Sequence, residues 1–197
     1  AQSLNGAWFL TLDNFDEGLR QKWFLEPDIC AKDWILPPDF SVEGGKKVQV
    51  PLCMNLVDPT WDLYAGAMWF TRDFDFVPNP NERSFLRIGA AANEARVLLN
   101  GEFLGRHLGA STPFNVELSN IKNGKNRLQI QVDNKPRAES VPMNHTDWFN
   151  YGGIYRDIEI ITLPSVFIRD FYCGLVANGQ LDTFFAEVAL SEEESAN

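Results

Sequence analysis

Alternation of apolar and polar residues at period two is the feature that most constrains this chain. Between Arg127 and Asp133, Leu128, Ile130 and Val132 fall on one side of an extended backbone, while Arg127, Gln129, Gln131 and Asp133 fall on the other. Only a β-strand, whose side chains point alternately to two faces, turns that spacing into one half-buried surface. Similar runs recur at about 5–12, 67–77, 84–90, 95–99, 102–107, 113–118, 154–163, 166–176 and 181–190, punctuated by Gly, Pro and Asn. Helical spacing is confined to Asp16–Leu25, where Leu19, Trp23 and Phe24 would share a face. Asn100-Gly101, set between two apolar runs, predicts a two-residue hairpin, because both central positions of a type I′ turn need positive φ. Many short strands with such punctuation predict an all-β antiparallel sandwich. The irregular stretches 26–66 and 134–153 then serve as crossovers at the ends of its sheets, where loops commonly carry function.

Composition removes several classes of partner. Seventeen Lys and Arg against 27 Asp and Glu give a net charge of −10, and no basic cluster with interleaved aromatics offsets it. Such a surface repels phosphate backbones, so no nucleic-acid partner is expected. Hydrophobic residues make up 45% of the chain, enough for a packed core. No apolar run reaches the roughly 20 residues of a bilayer span, so no membrane partner is expected, and no basic, apolar signal segment opens the chain. Cys30, Cys53 and Cys173 are too few and too scattered for a disulfide framework or a zinc site. No metal and no cofactor are expected.

Six motifs stand in order along the chain. They are Leu4-Asn5-Gly6-Ala7-Trp8-Phe9, Val50-Pro51, Tyr64-Ala65-Gly66-Ala67-Met68-Trp69-Phe70-Thr71-Arg72, Val97-Leu98-Leu99-Asn100-Gly101, Gly105-Arg106-His107 with Pro113-Phe114, and Asp147-Trp148-Phe149-Asn150-Tyr151-Gly152-Gly153-Ile154-Tyr155-Arg156. Together, over about residues 3–163, they resemble the N-terminal domain of family 2 glycoside hydrolases. That family includes β-galactosidases, β-glucuronidases and β-mannosidases, and the Phe149–Arg156 segment is most similar to the β-glucuronidase branch. The resemblance implies a jelly-roll, galactose-binding-domain-like sandwich that precedes an immunoglobulin-like sandwich and a catalytic (β/α)8 barrel. On that reading residues 1–163 form the jelly roll. Residues 164–197 begin a truncated immunoglobulin-like domain, since two strands cannot make a domain alone. A barrel takes about 250 residues, so the two catalytic glutamates the family carries there lie outside this chain, and no catalytic residue is expected within it.

Glycoside hydrolysis needs two carboxyls facing one bond, and no pair among these acids sits in a context that selects it. Asp147 is the one acid that stands out. It lies among Asn144, His145, Trp148, Asn150 and Tyr151, a mixture of hydrogen-bonding groups and aromatic faces suited to sugar rings. By its surroundings Asp147 either caps the turn before the next strand or faces a sugar. The resemblance implies the second role, as the aspartate that the family's first domain projects into the barrel's active site to contact substrate hydroxyls or help hold an ion. Asp62 and Tyr64, with Trp61, precede Gly66 in the other long loop, either as a solvated loop with aromatic anchors or as a second edge of the same pocket. The expected substrate-binding set is therefore Asp147, Trp148, Asn150, Asp62 and Tyr64. Trp8, Trp69 and Phe114 are expected to pack the core. Arg72 and Arg156 share the parity of apolar neighbours, so both are expected to be mostly buried and hydrogen-bonded, near a sheet edge or held by carboxylates or backbone carbonyls, unless a bulge, which Gly152-Gly153 could supply, flips the parity.

Two functions follow. One is a non-catalytic N-terminal sugar-binding domain of a β-glycosidase, whose partners are a β-glycoside, its own immunoglobulin-like and barrel domains and, in the parent, further copies of itself. The alternative is a self-sufficient carbohydrate-binding module. An adhesive or structural sandwich explains none of the six motifs.

Overall fold

The computed structural model describes residues 1–25, 44–138, 140, 141, 143, 147–175 and 183–191. The strands are β1 (Gln2–Ser3), β2 (Gly6–Asp13), β3 (Lys46–Val50), β4 (Ala67–Phe76), β5 (Glu82–Ile88), β6 (Ala91–Ala92) and β7 (Glu94–Leu99). After them come β8 (Glu102–Leu108), β9 (Phe114–Glu117), β10 (Gly124–Asp133), β11 (Gly153–Ile154), β12 (Ile158–Pro164), β13 (Ile168–Leu175) and β14 (Phe184–Leu190). Single-turn 3-10 helices at Met54–Leu56 and Pro59–Trp61 lie between β3 and β4.

Two antiparallel sheets make an all-β sandwich. One runs β3-β2-β4-β10-β7-β8 and the other β1-β12-β5-β9. Their inner faces meet where the alternating apolar residues converge. Trp8 and Leu10 of β2, Phe70 of β4 and Leu128, Ile130 and Val132 of β10 pack in one cluster with Leu86 and Ile88 of β5 and Ile158 and Ile160 of β12. Burial of each such side chain contributes about 1.5 to 3 kcal/mol. The expected hairpin joins β7 to β8: Leu99 pairs with Glu102, and Asn100 and Gly101 take φ of 51° and 84°.

The outer face of the larger sheet departs from the sequence reading. Gln129, Gln131 and Asp133 are buried along with their apolar neighbours, because the segment after β2 folds over them. The rings of Trp23 and Phe24 lie 6.3 and 6.4 Å from that of Trp69, and the Trp23 carbonyl accepts from Gln129 Nε2 at 3.3 Å. Trp69 is thus buried as expected, but in this second cluster on the outer face, while Trp8 sits in the central core. Phe114 packs against the core's edge and stacks on His107 at 4.2 Å. Residues 16–25 form no helix. Positive φ at Asp16 and Lys22 turns the backbone out of the helical region, and the buried Asp13 carboxylate instead holds the segment through Glu17 N and Gly18 N, each at 2.8 Å. Within the stretch expected to be irregular, β3 and the two 3-10 helices are regular; residues 26–43, with Cys30, lie outside the described residues. Cys53 and Cys173 are free thiols.

The strand expected over 154–163 is two strands, β11 and β12, with residues 155–157 between them. That interruption takes residues 155–157 out of the strand alternation, so Arg156 is exposed and donates to Ser111 O at 3.1 Å, contrary to its expected burial. Arg72 behaves as expected in part. It is half-buried, its Nη1 donates to Leu4 O and Asn5 O at 2.5 and 2.8 Å, and its guanidinium lies 5.9 Å from the Trp8 ring. Partial burial pulls its pKa below the usual value. Arg72→Ala strips the β1–β2 link of both donors, and the expected cost is about 2 to 4 kcal/mol. Urea unfolding measures it; a loss under about 1 kcal/mol would show that water replaces the guanidinium.

β13 and β14 form a separate two-stranded ribbon. Its link to the sandwich is aromatic: Arg83, bidentate to Glu117 at 2.7 and 2.6 Å, lies 5.6 and 5.3 Å from the rings of Phe85 and Phe167.

Candidate functional site

The loop after β3 and the loop after β10 meet at one end of the sandwich, and two buried asparagines hold them together. Asn55, 2% exposed, donates through Nδ2 to the carbonyls of Trp61, Asp62 and Tyr64 at 2.9, 3.2 and 3.0 Å. Its Oδ1 accepts from Gly152 N at 2.8 Å. Asn134, fully buried, accepts from Gly66 N at 2.8 Å and donates to Tyr64 O and Asn150 O at 3.0 and 3.3 Å. Buried backbone groups in loops need such partners, and one primary amide supplies both donors and acceptor. The approach is close enough to require glycine: a Cβ on Gly152 would lie 2.8 Å from the Asn134 side chain. Main-chain bonds from Met54 N to Gly152 O at 2.9 Å and from Leu52 N to Ile154 O at 2.7 Å complete the seam.

A second anchor lies beside it. The Glu94 carboxylate, 1% exposed at the start of β7, contacts Arg96, Arg106 Nε at 2.6 Å and Arg137 Nη1 at 2.5 Å. Arg137 also donates to Asp133 at 2.6 Å, and these two carboxylates raise its pKa against the opposing effect of burial. The loop after β10 is thus pinned by charge at its beginning and by amides at its end.

Above this frame is a hollow of about 480 Å³, lined chiefly by Cys53, Leu56, Trp148, Phe149, Tyr151 and Tyr155. Trp148 is 62% and Tyr151 49% exposed, Asn150 lines the same hollow at 9%, and Phe149 meets Tyr151 edge to face at 5.4 Å. Asp147 is exposed one residue ahead of Trp148. The structure therefore brings Trp148 and Asn150 together with Asp147 adjoining them in the chain. Asp62 and Tyr64 stay off the hollow. Asp62 is exposed, with its carbonyl on Asn55, and the Tyr64 hydroxyl donates to Ala67 O at 2.6 Å. Burial pushes the Tyr64 phenol well above its usual pKa, so it remains neutral. Asn144 and His145 lie outside the described residues.

Asn55 and Asn134 went unnoticed in the sequence because an asparagine in a loop reads as a local turn residue, whereas their bonds reach 97 and 68 positions along the chain. Half-exposed aromatic faces over fixed amides suit the C–H face and hydroxyls of a pyranose. Among the described residues no three His, Cys, Asp or Glu side chains gather as metal ligands, and no helix is long and apolar enough to cross a membrane.

Residues 1–164 match the model of the family described as glycosyl hydrolases family 2, sugar binding domain. A putative β-glucuronidase of Formosa agariphila is 30% identical over 156 residues, covering 76% of this chain and 18% of that protein. A β-galactosidase of Thermoanaerobacter pseudethanolicus is 30% identical over 114 residues, covering 55% of this chain and 15% of that protein. Among solved structures, a β-glucuronidase from an uncultured Clostridium sp. superposes with a TM-score of 0.77 at 27% identity, covering 98% of this chain and 34% of that one. The chain thus spans no more than about a third of these relatives. Since the match runs from β1 to the end of β12, across both sheets and both clamped loops, this chain belongs to glycosyl hydrolase family 2 through its sugar-binding domain.

Proposed function

We propose that the chain is the non-catalytic N-terminal sugar-binding domain of a β-glycosidase of β-glucuronidase or β-galactosidase type, and that residues 147–152 form one wall of a sugar site completed by a (β/α)8 barrel. The observation that carries this reading is the presentation of Trp148 and Tyr151, exposed on a segment whose backbone Asn55 and Asn134 hold in place. Exposed aromatic rings over a rigid base lose little entropy on meeting a ligand. Asp147 beside them supplies acceptors for sugar hydroxyls. Residues 1–163 act as the jelly roll and residues 164–197 open an immunoglobulin-like domain. Supporting the second assignment, Ile168, Phe171, Leu175, Phe184, Val188 and Leu190 are all exposed, leaving the ribbon with the apolar content of a sandwich strand pair that still lacks its partner sheet.

Two measurements test the reading. Purified chain should hydrolyse no chromogenic β-galactoside, β-glucuronide or β-mannoside, and turnover that survives controls for host enzymes would overturn it. In the barrel-containing parent, Asp147→Ala should lower kcat/KM more than about tenfold with an unchanged melting temperature, the loss expected for a hydrogen bond to a charged group. Unaltered kinetics would return Asp147 to capping a turn. Calorimetric binding of a monosaccharide to the chain at low micromolar Kd would instead favour a self-sufficient binding module, because one wall buries too little of a ligand for that affinity.

A further inference from the structure

We infer that the chain carries a second saccharide subsite, adjoining the hollow at Trp148 and accepting a neutral, hydroxyl-rich sugar unit. The inference extends the sugar-binding reading and rests on it. A second hollow of about 490 Å³ opens at the rim of the four-stranded sheet, between Pro51, Arg87, Pro113, Tyr155, Asp157 and Glu159.

The two hollows share their walls. Residues 51–53 give Pro51 to one and Cys53 to the other; residues 110–113 give Pro113 to one and Ala110 to the other; Tyr155 lines both. The shared wall is held in place, since the Tyr155 hydroxyl donates to Ala110 O and Arg156 Nη1 donates to Ser111 O at 3.1 Å. Residues 156–157 pack tightly on Gly89 in the lining: a Cβ there would lie 2.8 Å from the Arg156 Cβ. Adjoining hollows of about 480 and 490 Å³ take one sugar ring each, so the trough suits a disaccharide.

The lining selects the ligand's chemistry. Arg87 offers only donors, and Asp157 and Glu159 offer only acceptors. Arg87 and Glu159 stand directly opposite each other in β5 and β12, yet they make no ion pair with one another, which leaves both for a ligand. A sugar hydroxyl both donates and accepts, so one ring satisfies both signs. A phosphate or carboxylate would face the two carboxylates, and an ammonium would face the guanidiniums of Arg87 and Arg156. Pro51, Pro113 and the Tyr155 ring provide the flat apolar surface that a pyranose C–H face needs.

The test is a ¹H–¹⁵N titration of the chain with galactose, β-1,4-galactobiose, β-1,4-mannobiose and cellobiose, with glucuronic acid and inorganic phosphate as charged controls. At least one disaccharide should shift the amides of Gly89, Tyr155 and Asp157 together with those of Trp148 and Tyr151, and should bind more tightly than galactose. Arg87→Ala, at an exposed residue whose loss leaves the fold intact, should abolish the shifts at Gly89 and Asp157 while keeping those at Trp148. It should weaken the disaccharide about fivefold, the loss of one net hydrogen bond. Shifts confined to Trp148 and Tyr151 would overturn the subsite and leave the functional reading standing. Shifts confined to Gly89 and Asp157 would support the subsite and overturn the wall at 147–152. Equal disaccharide affinity in wild type and Arg87→Ala, no shifts at all, or larger shifts with phosphate or glucuronic acid would overturn the inference.

Discussion

Asn134→Ala is expected to destabilise the chain by about 3 to 5 kcal/mol, a large change for a polar residue outside the apolar core. The side chain makes one bond to Gly66 N and two to the carbonyls of Tyr64 and Asn150, all within a fully buried environment. Alanine leaves Gly66 N and Asn150 O desolvated and unpaired, at about 1 to 3 kcal/mol apiece when no water enters, while Tyr64 O keeps only its bond from Asn55. Asn134→Asp should rescue little, because it keeps the acceptor toward Gly66 but turns an oxygen toward two carbonyls. Urea unfolding gives the stability, and hydrogen exchange at Gly66 and Gly152 shows whether the two loops separate. A loss below about 1 kcal/mol, with protection retained at both glycines, would mean that the clamp is redundant with the main-chain bonds beside it.

Glu94→Ala should cost a comparable amount, about 3 to 5 kcal/mol, for a different reason. Three arginines converge on one nearly inaccessible carboxylate, and removing it leaves Arg96, Arg106 and Arg137 facing each other without the charge that gathered them. The effect should be strongly coupled to Arg137. A double-mutant cycle of Glu94→Ala with Arg137→Ala should give an interaction energy of about 1 to 3 kcal/mol, because once Glu94 is gone Arg137 loses one of its two carboxylate partners among the described residues and keeps Asp133. Additive losses would show that the arginines turn to solvent independently. The same variant should raise hydrogen exchange in the residues after β10, since Arg137 is the point where that loop is tied to β7.

Much of the sandwich was legible in the sequence because strand formation follows a local rule. Leu128, Ile130 and Val132 could be assigned to a buried face from spacing alone, and Asn100-Gly101 to a hairpin, because period-two burial and the need for positive φ act on adjacent residues. The family was legible for a related reason: its six motifs are short, contiguous and ordered. Trp148 and Asn150, which line the same hollow, could be picked out together because they are neighbours in one such motif.

What the tertiary structure alone decided is every feature that depends on contact between distant segments. Period two makes Gln129, Gln131 and Asp133 a solvent face, and only the return of Trp23 and Phe24 over Trp69 makes it a buried one. Parity carries Arg156 into the core, and only the break between β11 and β12 carries it out. Nothing near Asn55 or Asn134 in the chain distinguishes them from ordinary turn residues, yet they join the two loops around the candidate site. Local sequence determines which backbone conformations and faces are favourable, because those energies arise between neighbours. Which buried polar group finds which partner, across 68 or 97 residues, is settled only when the packed sheets bring the loops together.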